Sequence, residues 1–108
     1  MKPPKILYHG TDYKYIDSIS KQGIVKQNYE HVYLTDNINT AYEYASKYMY
    51  AVICVVDAEQ MYNDGIVFDS VNNEWLTDKV PSEYMLPILI EEKEDLNIIA
   101  QHIKYRSK

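Results

Sequence analysis

The sequence predicts an α+β domain on a mixed or antiparallel sheet, and three observations carry that reading. Strand-like and helix-like stretches alternate twice and are then followed mostly by strands, an order that suits α+β architecture rather than repeated βαβ units. Residues 51–56, Ala-Val-Ile-Cys-Val-Val, form a short, continuous, largely β-branched apolar run, the pattern of a central strand buried on both faces. Glycine occurs only three times in 108 residues. That leaves no Gly-rich phosphate loop and disfavours a doubly wound nucleotide fold.

In chain order, Pro3 and Pro4 keep the backbone out of a helix ahead of residues 5–8, a β-favouring strand. His9 is expected at the end of this strand. Gly10 offers a place where backbone can approach a ligand closely, and Thr11 adds a hydroxyl, so the three together suit a sugar diol and an amide. Residues 13–22 read as a first helix with Ile16 and Ile19 on one face, Asp12 as its cap and Gly23 as its end. A polar connection then leads to a second strand over residues 31–34. Residues 38–48 read as a second helix that buries Ile38, Ala41, Tyr42, Ala45 and Met49, its small alanines allowing close approach to a sheet.

After the central strand, residues 57–64 leave the sheet by a loop or one helical turn, with Gly65 as a breaker. Residues 66–68 and 74–76 read as two strands joined by the turn-rich Asp69-Ser70-Val71-Asn72-Asn73. Residues 84–90 look like a last strand, with Pro87 at an edge or bulge. A closing helix is expected over residues 92–103, acidic at its start and basic at its end.

Length allows one domain, residues 1–108, and 46% hydrophobic with 25% charged residues excludes a disordered chain. The apolar runs are too short to cross a bilayer and the N-terminus lacks a signal-like segment, so an intracellular, cytoplasmic protein without membrane contact is expected. The lone Cys54 lies in the central strand and reads as a buried core thiol. His9, His31 and His102 lack spaced companion ligands, so no metal site is expected. A net charge of −5 disfavours duplex DNA as a partner, although Lys104, Arg106 and Lys108 make a local basic end. Twelve tyrosines against one phenylalanine supply flat apolar bodies with polar tips, and the tyrosines around Tyr29, Tyr48 and Tyr62 could form a recognition surface.

Chemistry concentrates at three positions on three different strands: His9, Tyr33 and Glu74. A histidine, an aromatic and a carboxylate brought together would suit a ribose, where hydroxyls need partners and a developing cation needs an anion. Tyr8-His9-Gly10-Thr11, then His31-Val32-Tyr33-Leu34-Thr35-Asp36 with Ala41-Tyr42-Glu43-Tyr44-Ala45, then Asn73-Glu74-Trp75, resemble in order the three signature segments of the ADP-ribosyltransferase superfamily. In residue type they are similar to its His-Tyr-Glu branch, which holds the poly(ADP-ribose) polymerases and diphtheria-like toxins. Residues 72–77 and 80–85 also resemble the transferase lobe of RNA 2′-phosphotransferases, an NAD-using relative.

The resemblance implies a compact sheet core of the ADP-ribosyltransferase type with two or three flanking helices, and NAD as co-substrate. It implies that His9 bonds the ribose beside the nicotinamide, that the Gly10 backbone holds the carboxamide with help from Thr11, and that Tyr33 and Tyr44 bind the cofactor, Tyr44 by stacking. Glu74 would bond the 2′-hydroxyl and stabilise the oxocarbenium-like transition state, with His9 and Tyr33 completing the catalytic set. Against the RNA 2′-phosphotransferase pattern stand Tyr29, two residues before His31 where that family has arginine, and Tyr33, where it has histidine. The N-terminal Arg-His lobe of those enzymes is not matched, and Arg106 is the sole arginine. The expectation is therefore an NAD-dependent mono-ADP-ribosyltransferase, of toxin, host-takeover or defence type, acting on a protein, nucleic-acid or small-molecule acceptor. An inactive NAD, ADP-ribose or partner-binding module and an RNA 2′-phosphotransferase-like enzyme stand as alternatives.

Overall fold

The computed structural model describes residues 1–26, 29–97 and 99. The chain runs β1 (Ile6–Asp12), a 3₁₀ turn (Tyr13–Tyr15), α1 (Ile16–Gln22), β2 (Ile24–Val25), β3 (Val32–Leu34), α2 (Ile38–Ala45), β4 (Ala51–Asp57), α3 (Ala58–Asn63), β5 (Asp69–Val71), β6 (Glu74–Thr77), β7 (Lys79–Val80), a second 3₁₀ turn (Ser82–Tyr84) and β8 (Met85–Ile90). Every strand pairing among them is antiparallel. The α+β class expected from the sequence is therefore the one found, with the antiparallel of its two sheet alternatives.

Two three-stranded sheets dominate, in the orders β1-β4-β8 and β3-β6-β5, with β2 and β7 forming a separate pair. The two sheets touch through a single bridge, in which Tyr8 and Thr35 exchange backbone hydrogen bonds of 2.7 and 3.0 Å. Beyond that bridge β1 and β3 part, which positions the cavity described below.

The central strand is β4. Val52, Cys54 and Val56 face a core with Leu7, Ile19, Leu34, Met61, Phe68 and Val80, while Ala51 and Ile53 face a second core with Tyr8, Ala41, Ala45 and Ile90. Period-two alternation places successive residues on opposite faces, so an unbroken apolar run is what a strand covered on both sides requires. Each fully buried valine or isoleucine removes enough apolar surface from water to contribute roughly 1.5–3 kcal/mol. Cys54 is fully buried here, and burial pushes its thiol pKa up to about 12. It is a packing residue, as expected.

Several expectations are corrected. β1 does not stop before His9 but continues to Asp12, because β4 pairs with it at every position from Ile6 opposite Asp57 to Asp12 opposite Ala51. His9, Gly10 and Thr11 are strand residues, not a turn. The second helix ends at Ala45, and Met49 is exposed rather than on its buried face. After Asp57 the helical of the two alternatives is found, as the six-residue α3, whose N-terminus is capped by the Asp57 carboxylate accepting from the Gln60 N–H.

Residues 66–68 are not a strand. The Val67 carbonyl accepts from the Thr77 hydroxyl and the Phe68 carbonyl from the N-terminal amine of Met1, so neither serves a sheet ladder. Pro87 lies on β8, an edge strand, where its missing N–H is tolerated. Of the expected closing helix, residues 95–97 and 99 are helical, and Leu96 and Ile99 are buried against the second core. Its remaining residues, with His102 and the basic end at Lys104, Arg106 and Lys108, lie outside the described residues. Among those described, no helix is long and apolar enough to cross a membrane.

Candidate active site

A cavity of about 500 Å³ opens where β1 and β3 separate, and His9, Gly10, Thr11, Tyr33, Tyr44 and Glu74 all line it. The six positions singled out from the sequence therefore line one cavity, although they come from β1, β3, α2 and β6. Alternation along β1 explains His9 and Thr11. Leu7 faces the larger core, so His9 and Thr11 share its face further along the strand, beyond the point where core residues fill the space.

His9 spans the gap between the sheets. Its Nδ1 lies 3.0 Å from the backbone carbonyl of Tyr33. A carbonyl oxygen only accepts, so Nδ1 carries the hydrogen and Nε2 is left as a lone-pair acceptor in the neutral ring. Burial lowers the His9 pKa from its usual 6.5, against a smaller raising effect of the Tyr33 bond, which keeps the ring neutral around pH 7. A neutral imidazole with Nε2 free to accept is the form that can receive a hydrogen bond from a sugar hydroxyl.

Tyr33 is the exposed residue of a strand whose neighbours Val32 and Leu34 are buried, so β3 alternation turns its ring away from the core. The Tyr29 ring meets it edge to face, with centroids 5.9 Å apart at 86°. Glu74 opens β6 immediately after a two-residue turn. Asn72 and Asn73 have φ of 52° and 67°, and Val71 pairs with Glu74 across them, the geometry of a type I′ hairpin. Asparagine tolerates the left-handed region better than most residues, so the Asn-Asn pair fixes where the half-buried Glu74 leaves the turn. Tyr44 projects from α2 with the Lys47 ammonium 5.2 Å from its ring centroid.

Gly10 is explained by packing. An added Cβ would lie 2.1 Å from the Ala41 carbonyl oxygen, so glycine here lets α2 press against β1. The small faces of Ala41 and Ala45 complete that contact, and the helix is started by Asn37, whose side chain accepts from the N–H groups of Asn39 and Thr40. This contact with α2 by itself requires glycine at position 10.

Lys26, His31, Thr35 and Tyr15 also line the cavity and were not singled out as site residues from the sequence. Lys26 is ion-paired to Asp78 at the positions that directly follow the β2–β7 ladder. The Thr35 hydroxyl accepts from the Asn37 N–H at the start of α2.

Residues 1–79 match the family model described as RNA 2′-phosphotransferase, Tpt1/KptA family. Curated relatives bearing the name "Probable RNA 2′-phosphotransferase" include one from Burkholderia lata, 41% identical over 85 residues that cover 78% of this chain and 44% of the relative. A second, from Fusobacterium nucleatum, is 42% identical over 85 residues, covering 77% and 48%, and a third, from Nostoc punctiforme, is 39% identical over 87 residues, covering 80% and 48%. The chain thus spans about half the length of the curated relatives it matches.

These matches overturn the expectation of a mono-ADP-ribosyltransferase of toxin, host-takeover or defence type. Tyr29 and Tyr33 had weighed against the phosphotransferase pattern, but they are two substitutions inside a segment that matches at about 40% identity over some 85 residues. What holds of the superfamily resemblance is the coarser statement that the matched family is a distant relative of ADP-ribosyltransferase-like folds. The chain belongs to the RNA 2′-phosphotransferase, Tpt1/KptA family.

Proposed function

We propose that the cavity between the sheets is the NAD-reacting site of an RNA 2′-phosphotransferase. One observation carries this reading: His9, Tyr33 and Glu74 line a single cavity, with His9 held in the tautomer that leaves Nε2 as an acceptor. The residues fit the dinucleotide. A volume of about 500 Å³ falls within the range usual for small-molecule sites, the neutral imidazole suits a ribose hydroxyl, and Tyr33 and Tyr44 offer flat surfaces for the nicotinamide.

When bound, NAD would supply an activated glycosidic bond at which an RNA 2′-phosphate oxygen can displace nicotinamide, and a ribose hydroxyl that can then displace the RNA 2′-oxygen from phosphorus, so that the phosphate leaves on the ADP-ribose. Glu74 places a carboxylate in the same cavity, where it stabilises positive charge developing on the ribose more than it stabilises the ground state. His9 orients the sugar by accepting from a hydroxyl, and its bond to the Tyr33 carbonyl holds the ring against rotation. Gly10 and Thr11 complete the β1 wall.

The test is incubation of the chain with NAD and a short RNA carrying one internal 2′-phosphate. Nicotinamide release that requires the 2′-phosphate, together with loss of that phosphate from the RNA, supports the reading. Release indifferent to the phosphate, with the RNA left intact, would overturn it. A second reading, NAD binding without turnover, is favoured by Tyr29 and Tyr33 standing in the cavity wall where the family pattern carries arginine and histidine. Saturable NAD binding with no nicotinamide release would select it.

A further inference from the structure

The cavity has an unusual lip. Tyr15, Tyr29, Tyr33, Tyr44 and Tyr48 all line it and all are exposed, from 36% for Tyr15 to 70% for Tyr29. Apolar surface gathered in one exposed place marks an interaction site more often than scattered residues do. Two of these rings also carry a cation: the Lys14 ammonium lies 5.1 Å from the Tyr15 centroid and that of Lys47 lies 5.2 Å from the Tyr44 centroid. A second edge-to-face pair, Tyr13 with Tyr50 at 6.4 Å, sits at the end of the β1–β4 ladder towards which His9, Gly10 and Thr11 run.

Aromatic faces interleaved with a few ammonium groups, on a chain of net charge −5 with no arginine among the described residues, do not suit a partner gripped mainly through its phosphates. They suit one recognised by stacking. A base inside a duplex has its faces covered by its neighbours, so only unpaired bases can meet such a surface. Taking RNA as the partner, which rests on the proposed function, we propose that the outer tyrosines of this lip, Tyr15, Tyr29 and Tyr48, are a stacking platform for unpaired bases flanking the reacting nucleotide, while Tyr33 and Tyr44 are left to the nicotinamide. Lys14 and Lys47 meet the intervening phosphates. The protein thereby selects single-stranded RNA over duplex.

The test uses the 108-residue chain and a fluorescent single-stranded RNA hexanucleotide without a 2′-phosphate, beside the same strand annealed to its complement. The single strand is expected to bind at least tenfold tighter than the duplex. Tyr15→Ser and Tyr48→Ser should each weaken single-strand binding by about 5- to 100-fold, while Tyr15→Phe and Tyr48→Phe, which keep the ring, should bind within about twofold of wild type. Two phosphate contacts predict a shallow logarithmic salt slope of about −1.4.

Equal binding of duplex, unchanged affinity in the serine variants with wild-type circular dichroism, or a steep salt slope would overturn the platform. NAD is titrated in parallel on every variant. NAD binding that is lost in the serine variants while the RNA fails to bind would also overturn it, assigning the lip to the adenine instead. Single-strand binding in a chain that does not bind NAD would keep the platform and sink the proposed NAD site, so the two failures are distinguishable.

Discussion

The β1-β4-β8 and β3-β6-β5 sheets are built to different standards. In the first, β4 is covered on both faces by apolar side chains and pairs along its whole length with β1. In the second, the strands are three or four residues long, only one face of β3 is buried, and β5 is largely exposed. The contrast separates two tasks. The first sheet holds His9 and Thr11 rigidly, whereas the second trades core contacts for functional groups, presenting the Tyr33 ring, the Tyr33 carbonyl and Glu74 to the cavity. The cavity exists because the two sheets share a single bridge and then diverge.

The largest effect is expected at the thinner sheet's carboxylate. Glu74→Gln keeps size and a hydrogen-bonding tip but removes the charge, and should lower nicotinamide release by about 10²- to 10³-fold with NAD affinity little changed. Single-turnover rates beside equilibrium titration would check this, and an equal loss in binding would assign Glu74 to ground-state contact. On the thicker sheet, Gly10→Ala drives a Cβ into the Ala41 carbonyl and should cost about 1–3 kcal/mol in urea unfolding as α2 is pushed from β1.

A smaller loss is expected at the hairpin. Asn73→Ala, at φ 67°, should destabilise by about 1–2 kcal/mol and reduce turnover by misplacing Glu74, whereas Asn73→Gly should preserve both. Chemical denaturation and a turnover assay on the pair would separate backbone strain from loss of the amide.

The smallest effect is the pH dependence of His9. Its folded pKa lies below the usual 6.5, so between those two values the unfolded chain binds more protons than the folded one. Stability therefore rises with pH across that window and is lost as pH falls from about 6.5 through the lowered folded value. The neutral acceptor should persist to lower pH than in a free histidine. An NMR titration of the ring giving a pKa above 6.5 would contradict the burial argument.

Much of this was legible in the residues because it is local. The unbroken run over residues 51–56 announces a strand buried on both sides, and Asp12 and Gly23 mark the start and end of the first helical segment where their chemistry predicts. What escaped was set by partners distant in sequence. β1 outruns its apolar residues because β4 lies beside it, and the reason for Gly10 is a helix carbonyl more than thirty residues away. That His9, Tyr33 and Glu74 line one cavity does not follow from their spacing, since the Tyr8–Thr35 bridge that joins the two sheets has no sequence signature. The functional expectation went wrong because Tyr29, Tyr33, the unmatched N-terminal Arg-His lobe and the sole arginine, Arg106, are departures at a few points, whereas the likeness to the family runs over residues 1–79.

The measurement that most directly tests the division between the sheets is a backbone NMR titration of the chain with NAD. Amide shifts concentrated at His9 to Thr11, Tyr33, Tyr44 and Glu74, with β8 and α3 unmoved, are the expected result, and they should vanish in His9→Ala if that variant keeps the β4 resonances of wild type. Shifts confined to β8 or α3, or none at saturating NAD, would contradict a ligand site at the split between the sheets.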